Sequence, residues 1–549
     1  MKLHGILDEQ SALALDAPWF IAELEPAGDY GRSVFAELCA FVPGEETLAQ
    51  DRAQRVAAFG ARMGQARLEL LREILHTMPD ARHAVATAAM GDLPDDAAFL
   101  ELLRFCDGAK QIDAHLGDVD VEPCADDAVR TLGADLERGR CGRRGFYLDD
   151  AFDPQLAEAR VRLDETAAEF EAARGRLAGA VARQLGRDEP AWGEFILMRG
   201  DLLGGVPSHV RVVREAPTYY LCELELDEAS RAALQRRDEA AQTVAALEYA
   251  VRAKLAGRVG ERAGALAAAM RRLGELDVLV AAARFAVRYR CTVPAIVDRG
   301  CIDCVGARYL PLAAELERVG ASYVPIDVRL TGVAVVTGPN MGGKSAGLRT
   351  CGTIALCAAF GLPVPATRAT VGLFDRIAWL GIGVQADRGG LLSSFAGEVV
   401  RLRDLLEDEQ RRMFLLIDEF ARTTTPHEGQ ALLVAVIGRL RQRGICALVA
   451  THLSGVARAA GVAHLAVRGL RTVPSRPLNG DLAAALEALA AAMDYTLLEV
   501  GADDPGQTDA LALARLLGLD DELVAAASAA LCDSAAKAPV HQARSHVDQ

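Results

Sequence analysis

The sequence predicts a multidomain fold: an α-helical core region carrying a small β insertion, then an α/β domain of P-loop type and a C-terminal helical segment. Three observations predict it. Leucines recur at helical spacing early in the chain (Leu68, Leu71, Leu75; Leu100, Leu103) against a background of Ala, Glu and Arg. Between Phe195 and Leu226 the pattern changes to Ile196, Val210, Val212, Val213, Tyr219, Tyr220 and Leu221, punctuated by Gly-Gly and Pro, which reads as a small sheet. From about Cys291 to Gly469 short β-rich apolar runs alternate with helical ones, the pattern of an α/β layer with a largely parallel sheet.

In chain order, residues 1–194 form the N-terminal helical region, with loops at Pro79-Asp80, Gly91 to Pro94, Asp118 to Asp127 and Asp153-Pro154. The basic stretch Arg138 to Arg144 reads as a solvated loop. Residues 195–226 are the β insertion, and 227–290 return as one or two long amphipathic helices whose arginines (Arg231, Arg236, Arg237, Arg252, Arg258, Arg262, Arg271, Arg272) interleave with acids. Residues 291–475 hold the α/β domain. Residues 476–534 read as two helical stretches, around Leu482 to Met493 and Thr508 to Leu531, joined through YTLLEVGADDPG. The last segment, 535–549, reads as a disordered tail.

Sixty Lys+Arg against 76 Asp+Glu leave a formal charge of −16 in 549 residues. No protein-wide positive field draws such a chain onto nucleic acid or acidic lipid, so any polyanion must be met by a local patch. The N-terminus MKLHGILDEQ carries acids where a secretory signal needs an apolar core, and no apolar run approaches the ~20 residues of a membrane span, which predicts a cytoplasmic protein without a membrane partner. The 12 cysteines are too sparse for a disulfide scaffold. Cys291, Cys301 and Cys304 fall short of the four ligands of a structural zinc site and read as a plain loop.

The chemistry concentrates in three strand ends. Gly338-Pro339-Asn340-Met341-Gly342-Gly343-Lys344-Ser345 satisfies G-x-x-x-x-G-K-[ST], follows the β-branched run Val333, Val335, Val336 and precedes an apolar helix. Backbone N–H groups of such a loop converge on phosphates, the helix N-terminus adds partial positive charge, Lys344 reaches the terminal phosphates and the Ser345 hydroxyl ligates Mg²⁺. Downstream, Met413 to Glu419 is an apolar strand ending in two acids: Asp418 supports Mg²⁺ and Glu419 polarises the attacking water. A third strand, Cys446 to Thr451, ends in His452, an imidazole placed to sense the γ-phosphate.

The ordered series TGPNMGGKS, VPA with a following DRI, SSFAGE, LLIDEF and ATH resembles the ATPase domain of the MutS mismatch-repair family, an ABC-type ATPase. GELDVLVAAARFA (274–286) is similar to that family's lever-helix segment, YVPID (323–327) to its adenine-side segment, and the stretch after Leu497 to its closing helices, so the resemblance runs from roughly Phe195 to Leu531. It implies ATP and Mg²⁺ as ligands, Tyr323 on adenine, and Ser393 or Ser394 as the signature serine completing the partner subunit's site, hence a homodimer. Thr424 and Thr425 fall in the family's subunit-crossing loop. There the chain reads DEFARTTTP where the family usually has DELGRGTST, so Ala421 and Thr423 stand for two glycines, and SSFAGE replaces Ser-Thr-Phe-Met-x-Glu.

Mismatch-reading members add an N-terminal domain with a Phe-x-Glu wedge and a connector domain, for which 549 residues leave no room. Phe35-Ala36-Glu37 spells the tripeptide but sits in a helical pattern, VFAELCAF, and reads as a half-buried helical phenylalanine. The resemblance therefore implies levers, a reduced clamp and a motor. It points to an ATP-gated dimeric clamp acting on double-stranded DNA through a local patch, in mismatch repair or in sensing DNA damage or structure. The alternative is an ATP-driven remodeller of a client protein, similar to the reactivating factors of B12-dependent aminomutases. A non-hydrolysing module is disfavoured by the presence of Lys344, Ser345, Asp418 and Glu419.

Overall fold

Strands buried on both faces give the C-terminal half its long apolar runs: Leu415, Leu416 and Ile417 are consecutive and all fully buried. The computed structural model describes residues 1–549 except 4, 142–144, 187–192, 203–204, 321, 340–342, 382–393, 408–411, 471–492, 502–510, 512–513, 516–518 and 537–549. The chain forms two compact units, Met1–His76 with Gly274–Gln549, and Thr77–Leu273.

The first unit is built on a six-stranded sheet. Its order is Arg376–Gly381, Met413–Asp418, Cys446–Ala450, Val333–Thr337, Ala463–Leu470 and Met493–Val500, with the first five parallel and the last antiparallel. Asp418 pairs with Ala450, and Ala450 with Val336, so the three chemistry-bearing strands end together. Leu415, Ile417 and Val449 pack one face against Leu433, Ile437 and Leu440 of the helix Pro426–Gln442. Leu416 points the other way, toward Gly352 of the helix Lys344–Ala359, which is buried along most of its length.

The segment read as a joiner after residue 493 is a correction: Met493–Val500 is a strand of this sheet, paired antiparallel with Ala463–Leu470. The open edge of Ala463–Leu470 needs hydrogen-bond partners, and a segment with Tyr495, Thr496 and Val500 supplies them better than a loop would. Of the helix expected around Leu482 to Met493, residues 482–492 lie outside the described residues, and Met493 belongs to the strand. A helix occupies Asp521–Ala536. The expected tail, from 537 onward, lies outside the described residues.

A four-stranded mixed sheet, ordered Ala295–Val297, Arg368–Gly372, Ile302–Ala307 and Ile326–Leu330, belongs to the same unit. Cys301 and Cys304 are buried in it as free thiols, and burial pushes Cys304 up to about 12. Among the described residues no group of three or more His, Cys, Asp or Glu is arranged to hold a metal. The unit's N-terminal part contains the helices Glu9–Ala14, Ala17–Glu23 and Asp29–Glu37. Phe35 is buried in the third, 8% exposed. Gly28 offers that helix no capping side chain. Asp277, on the helix Ala263–Arg288, instead anchors the residues that lead into Asp29–Glu37, accepting from the N–H groups of Ala27 (3.0 Å) and Gly28 (2.7 Å).

The second unit is mostly helical, and its breaks fall where Pro, Gly and Asp clusters placed them. Asp95, Asp126, Asp153 and Asp227 each cap the helix that follows, through a side-chain oxygen. Pro154–Leu185 and Glu228–Glu261 pack antiparallel, since Leu156 meets Val244 while Phe170 meets Ala233. A three-stranded antiparallel sheet, ordered Glu194–Met198, Tyr219–Leu224 and Val210–Glu215, buries Leu197, Val210, Cys222 and Leu224 against Leu177, Ala178 and Val181. Its other face leaves Ile196 and Met198 more than half exposed. The helical arginines are largely paired: Arg160 with Glu248 (2.6 Å), Arg236 with Glu169 (3.1 Å), Arg252 with Asp96 (2.8 Å), Arg258 with Asp135 (2.7 Å) and Arg272 with Asp126 (2.7 Å). Among the described residues of the whole chain, no helix is long and apolar enough to cross a membrane.

Candidate nucleotide site

The P-loop begins where Val333–Thr337 ends. His464, a buried residue on the neighbouring strand, fixes that end: its Nε2 lies 2.7 Å from Thr337 Oγ1, and its Nδ1 lies 3.2 Å from the Gly501 carbonyl. Gly343 turns the loop into the helix Lys344–Ala359 at φ 85°, a left-handed conformation that costs a residue with a Cβ about 1–2 kcal/mol. No side chain caps this helix, which leaves its first-turn N–H groups for an anion. The ring of Tyr495 packs beside Gly343, 3.2 Å from where a Cβ would stand. Asn340, Met341 and Gly342 lie outside the described residues.

Lys344 is 5% exposed, and its ammonium donates to the carbonyls of Gly338 (2.9 Å) and Pro339 (3.1 Å). Glu419 Oε1 lies 3.6 Å from it. Burial lowers the lysine's pKa from its ordinary value, while Glu419 pulls in the opposite sense. The Ser345 hydroxyl hydrogen-bonds to Asp418, whose carboxyl is raised above the usual carboxylate range by burial. Asp418 Oδ1 is buried and lacks a hydrogen-bond partner among the described residues. A hydroxyl beside a carboxylate with a spare oxygen fits Mg²⁺, which in phosphate sites takes few protein ligands and completes its octahedron with water and phosphate.

Glu419 and Ala421 both sit at positive φ, 55° and 62°. These two non-glycine residues put a strained turn directly after the Walker-B strand. The Glu419 N–H donates to Ala450 O (3.0 Å), and Arg422 lies 3.3 Å from Glu419 Oε2, so the carboxylate is held between two cations. Glu398, buried on the helix Ser394–Glu407, accepts the Ala421 N–H at 2.9 Å. Thr424 donates back to Ala421 O (3.0 Å), while Thr425 caps Pro426–Gln442, its hydroxyl accepting the Glu428 N–H (3.4 Å) and donating to the Glu428 carboxylate (2.8 Å).

The third strand end is anchored by Thr451, whose N–H donates to Val336 O (3.0 Å). His452 follows, exposed, at the same end of the sheet as Asp418 and the P-loop. Tyr323 is half-buried; its hydroxyl accepts the Tyr309 N–H (3.1 Å) and lies 3.4 Å from Thr350 Oγ1 on the P-loop helix. Ser393 lies outside the described residues, and Ser394 is the first residue of its helix.

The geometry thus brings Lys344, Ser345, Asp418 and Glu419 together. Sequence reading missed His464 and Tyr495, neither of which belongs to a spaced motif, and gave Glu398 no role although it closes SSFAGE. Alternation in AHLAV, Ala463 to Val467, was the one available hint that His464 faces inward.

Part of the chain is similar to known proteins. Residues 334–529 match MutS domain V, a span that takes in every strand of the six-stranded sheet downstream of the P-loop and most of the P-loop strand itself. The DNA mismatch repair protein MutS of Erythrobacter litoralis is 34% identical over 251 residues, covering 45% of this chain and 28% of that protein. Endonuclease MutS2 of Clostridium botulinum is 35% identical over 184 residues, 33% of this chain and 22% of the relative. Endonuclease MutS2 of Pelotomaculum thermopropionicum is 29% identical over 276 residues, 50% and 32% respectively. The chain thus spans about a third or less of the length of these relatives, and the shared part is the domain that carries the P-loop. Over residues 334–529 the chain is similar to the MutS family, and the likeness is to that family's domain V.

Proposed function

We propose that the chain is a Mg²⁺-dependent ATPase that works as a homodimer and uses ATP to gate a clamp on double-stranded DNA, without a mismatch-reading wedge. The observation that carries the hydrolytic part is the meeting of Lys344, the Ser345–Asp418 pair and Glu419 at the joint end of three parallel strands. The triphosphate lies on the loop Gly338–Ser345, and Lys344 exchanges the Gly338 and Pro339 carbonyls for phosphate oxygens. Glu419, turned inward by its left-handed backbone, orients the attacking water and accepts its proton. Mg²⁺, when bound by Ser345 and Asp418, neutralises charge on the phosphates. His452 contacts the γ-phosphate, Tyr323 stacks on adenine, and Ser393 and Ser394 complete the partner subunit's site. The arrangement of levers, clamp and closing dimerisation helices is read from the family resemblance, and the location as cytoplasmic.

The DNA part draws on what the relatives are named for: mismatch repair in one, an endonuclease in the others. A second reading, remodelling of a client protein such as a B12-dependent aminomutase, is favoured by two observations on the helical unit. Many of its arginines are paired with acids, and the open face of its small sheet presents Ile196 and Met198 beside Arg214 and beside Arg211, which is paired with Glu223. ATPase rate with duplex, branched and mismatched DNA across a salt series separates the two. Stimulation that fades as salt rises supports the clamp on DNA. A flat response to every DNA removes that reading and leaves the client protein, whose assay is ATP-dependent reactivation of an inactivated aminomutase.

A further inference from the structure

Residues Ile6–Asp16 run as a strap along the edge strand Arg376–Gly381 and touch elements from both sides of the nucleotide chemistry. The Ile377 N–H donates to Ile6 O (2.8 Å) and the Trp379 N–H to Ser11 Oγ (2.9 Å), so the strap takes up donors on the open edge of the six-stranded sheet. Asp8 is its anchor. It caps the helix Glu9–Ala14 through the Ser11 N–H (2.9 Å), receives Arg376 (3.2 Å), and takes Arg401 on both oxygens (2.7 and 2.8 Å). Arg401 sits on the helix Ser394–Glu407, and the same Nη2 that binds Asp8 also reaches Ser11 Oγ (3.1 Å) and Trp379 O (3.4 Å).

The other end of the strap grips the P-loop helix. Leu15 packs into the space left by Gly352, where a Cβ would fall 2.5 Å from its methyl group. Asp16 accepts from Arg349 (3.3 Å) and from the hydroxyl of Tyr309, and the Tyr309 N–H is the donor that holds Tyr323. The Arg349 guanidinium in turn lies over the rings of Tyr309 and Trp379. Asp16 keeps a left-handed backbone, φ 50°, to make these contacts.

We propose that the strap is a positioning element for the dimeric ATPase: through Arg401, Asp8 sets the helix Ser394–Glu407 on the edge strand Arg376–Gly381 and so places the half-site that each subunit offers to its partner. This rests on the reading that Ser393 and Ser394 complete the partner's site. The helix is held from two directions, by Glu398 on the Ala421 N–H and by Arg401 on Asp8. The first contact belongs to the subunit's own Walker-B turn and the second to the strap. Asp8 and Arg401 touch no nucleotide-binding group directly, and they act through the helix.

The test is trans-complementation in the full-length chain. Asp8→Asn is expected to lower kcat by between about tenfold and a hundredfold, the cost of misplacing a catalytic element by about an ångström. KM for ATP should move less than about twofold, because its own P-loop is intact. Unchanged kcat in a folded variant overturns the proposal. Heterodimers of one Asp8→Asn subunit and one Lys344→Ala subunit, isolated with two tags, combine one intact P-loop with one intact partner helix, and are expected to recover to roughly half the wild-type rate. The control heterodimer pairs Ser394→Ala with Lys344→Ala. If the control recovers and the Asp8→Asn heterodimer stays inactive, the strap acts within its own site or in folding, and the proposal is wrong. If neither recovers, the composite-site reading fails and takes the strap with it. Should Asp8→Asn not fold, Arg401→Gln carries the same prediction with the capping carboxylate left in place.

Discussion

The six-stranded and the three-stranded sheet solve the same burial problem differently. In the six-stranded sheet both faces are covered, the strands read as unbroken apolar runs, and the polar groups are confined to the strand ends, where Lys344, Asp418 and Glu419 meet. In the three-stranded sheet one face is covered, the strand Glu194–Met198 alternates, and Ile196 and Met198 are left to solvent. The first concentrates unbalanced charge at a point. The second unit cancels its charge locally in pairs such as Arg258–Asp135 and Arg272–Asp126. A site organised for a triphosphate needs the first arrangement, and the second is poorly suited to bind polyphosphate strongly through salt-sensitive contacts.

The largest effect should come from breaking the concentrated end. Glu419→Gln keeps the size and the hydrogen-bonding capacity of the side chain but removes the base, so steady-state ATP turnover should fall by about 10²–10⁴-fold. ATP binding, read by fluorescent nucleotide titration, should survive. Retained turnover would assign the base to another carboxylate. Lys344→Ala, by contrast, should abolish binding itself, since Lys344 is the cation already seated at the loop carbonyls.

The next effect sharpens the other side of the comparison. If DNA binds the helical unit through some three phosphate contacts, the slope of log K against log salt should be about −3. Filter binding or anisotropy across a salt series measures it. A slope near −6 would mean that the unit offers the duplex about twice as many cations, and would weaken the contrast between the two regions.

A smaller effect links the site's chemistry to its stability. Burial raises the Asp418 carboxyl above the usual range, so ionising it costs folding free energy; that contribution is most favourable at low pH and is lost as pH rises through the raised folded value. At neutral pH Asp418→Asn removes the cost. The nucleotide-free variant should melt about 2 °C higher, while its Mg²⁺-dependent turnover is lost. A lower melting temperature would show that the bond from Ser345 outweighs the desolvation.

Much of this architecture was legible because it is local. The loop Gly338–Ser345, the strand Met413–Asp418 and the breaks at Pro79, Pro94 and Pro154 each announce themselves within a few residues. What stayed hidden is held by contacts across long sequence separations. Asp277 anchors Gly28 across 249 residues, Arg401 reaches Asp8 across 393, and His464 locks Thr337 across 127. A single Asp or His carries no period and no spacing, so nothing in the surrounding sequence distinguishes these from solvated side chains. Tyr495 escaped for a related reason: its strand looked like a joiner until the antiparallel edge that needs it was in view.

The smallest expected effect lies in the turn where the chain departs from the pattern it resembles. Ala421 holds φ 62° at a position where the resemblance has glycine, and its N–H is the one Glu398 accepts. Replacing it with glycine relieves a left-handed Cβ clash of about 1–2 kcal/mol. Against that stands the extra freedom glycine gives the unfolded chain, about 0.4–1 kcal/mol. The lost methyl also leaves some buried contact unfilled, since Ala421 is 3% exposed. The terms nearly cancel, so Ala421→Gly should change the urea midpoint by the equivalent of less than about 1 kcal/mol. Turnover is the more telling readout. If the strained turn holds Glu419 in place, the softer glycine turn should lower kcat modestly without altering KM. If the turn is only a spacer, neither parameter moves, and the inward placement of Glu419 must then come from Lys344 and Arg422 alone.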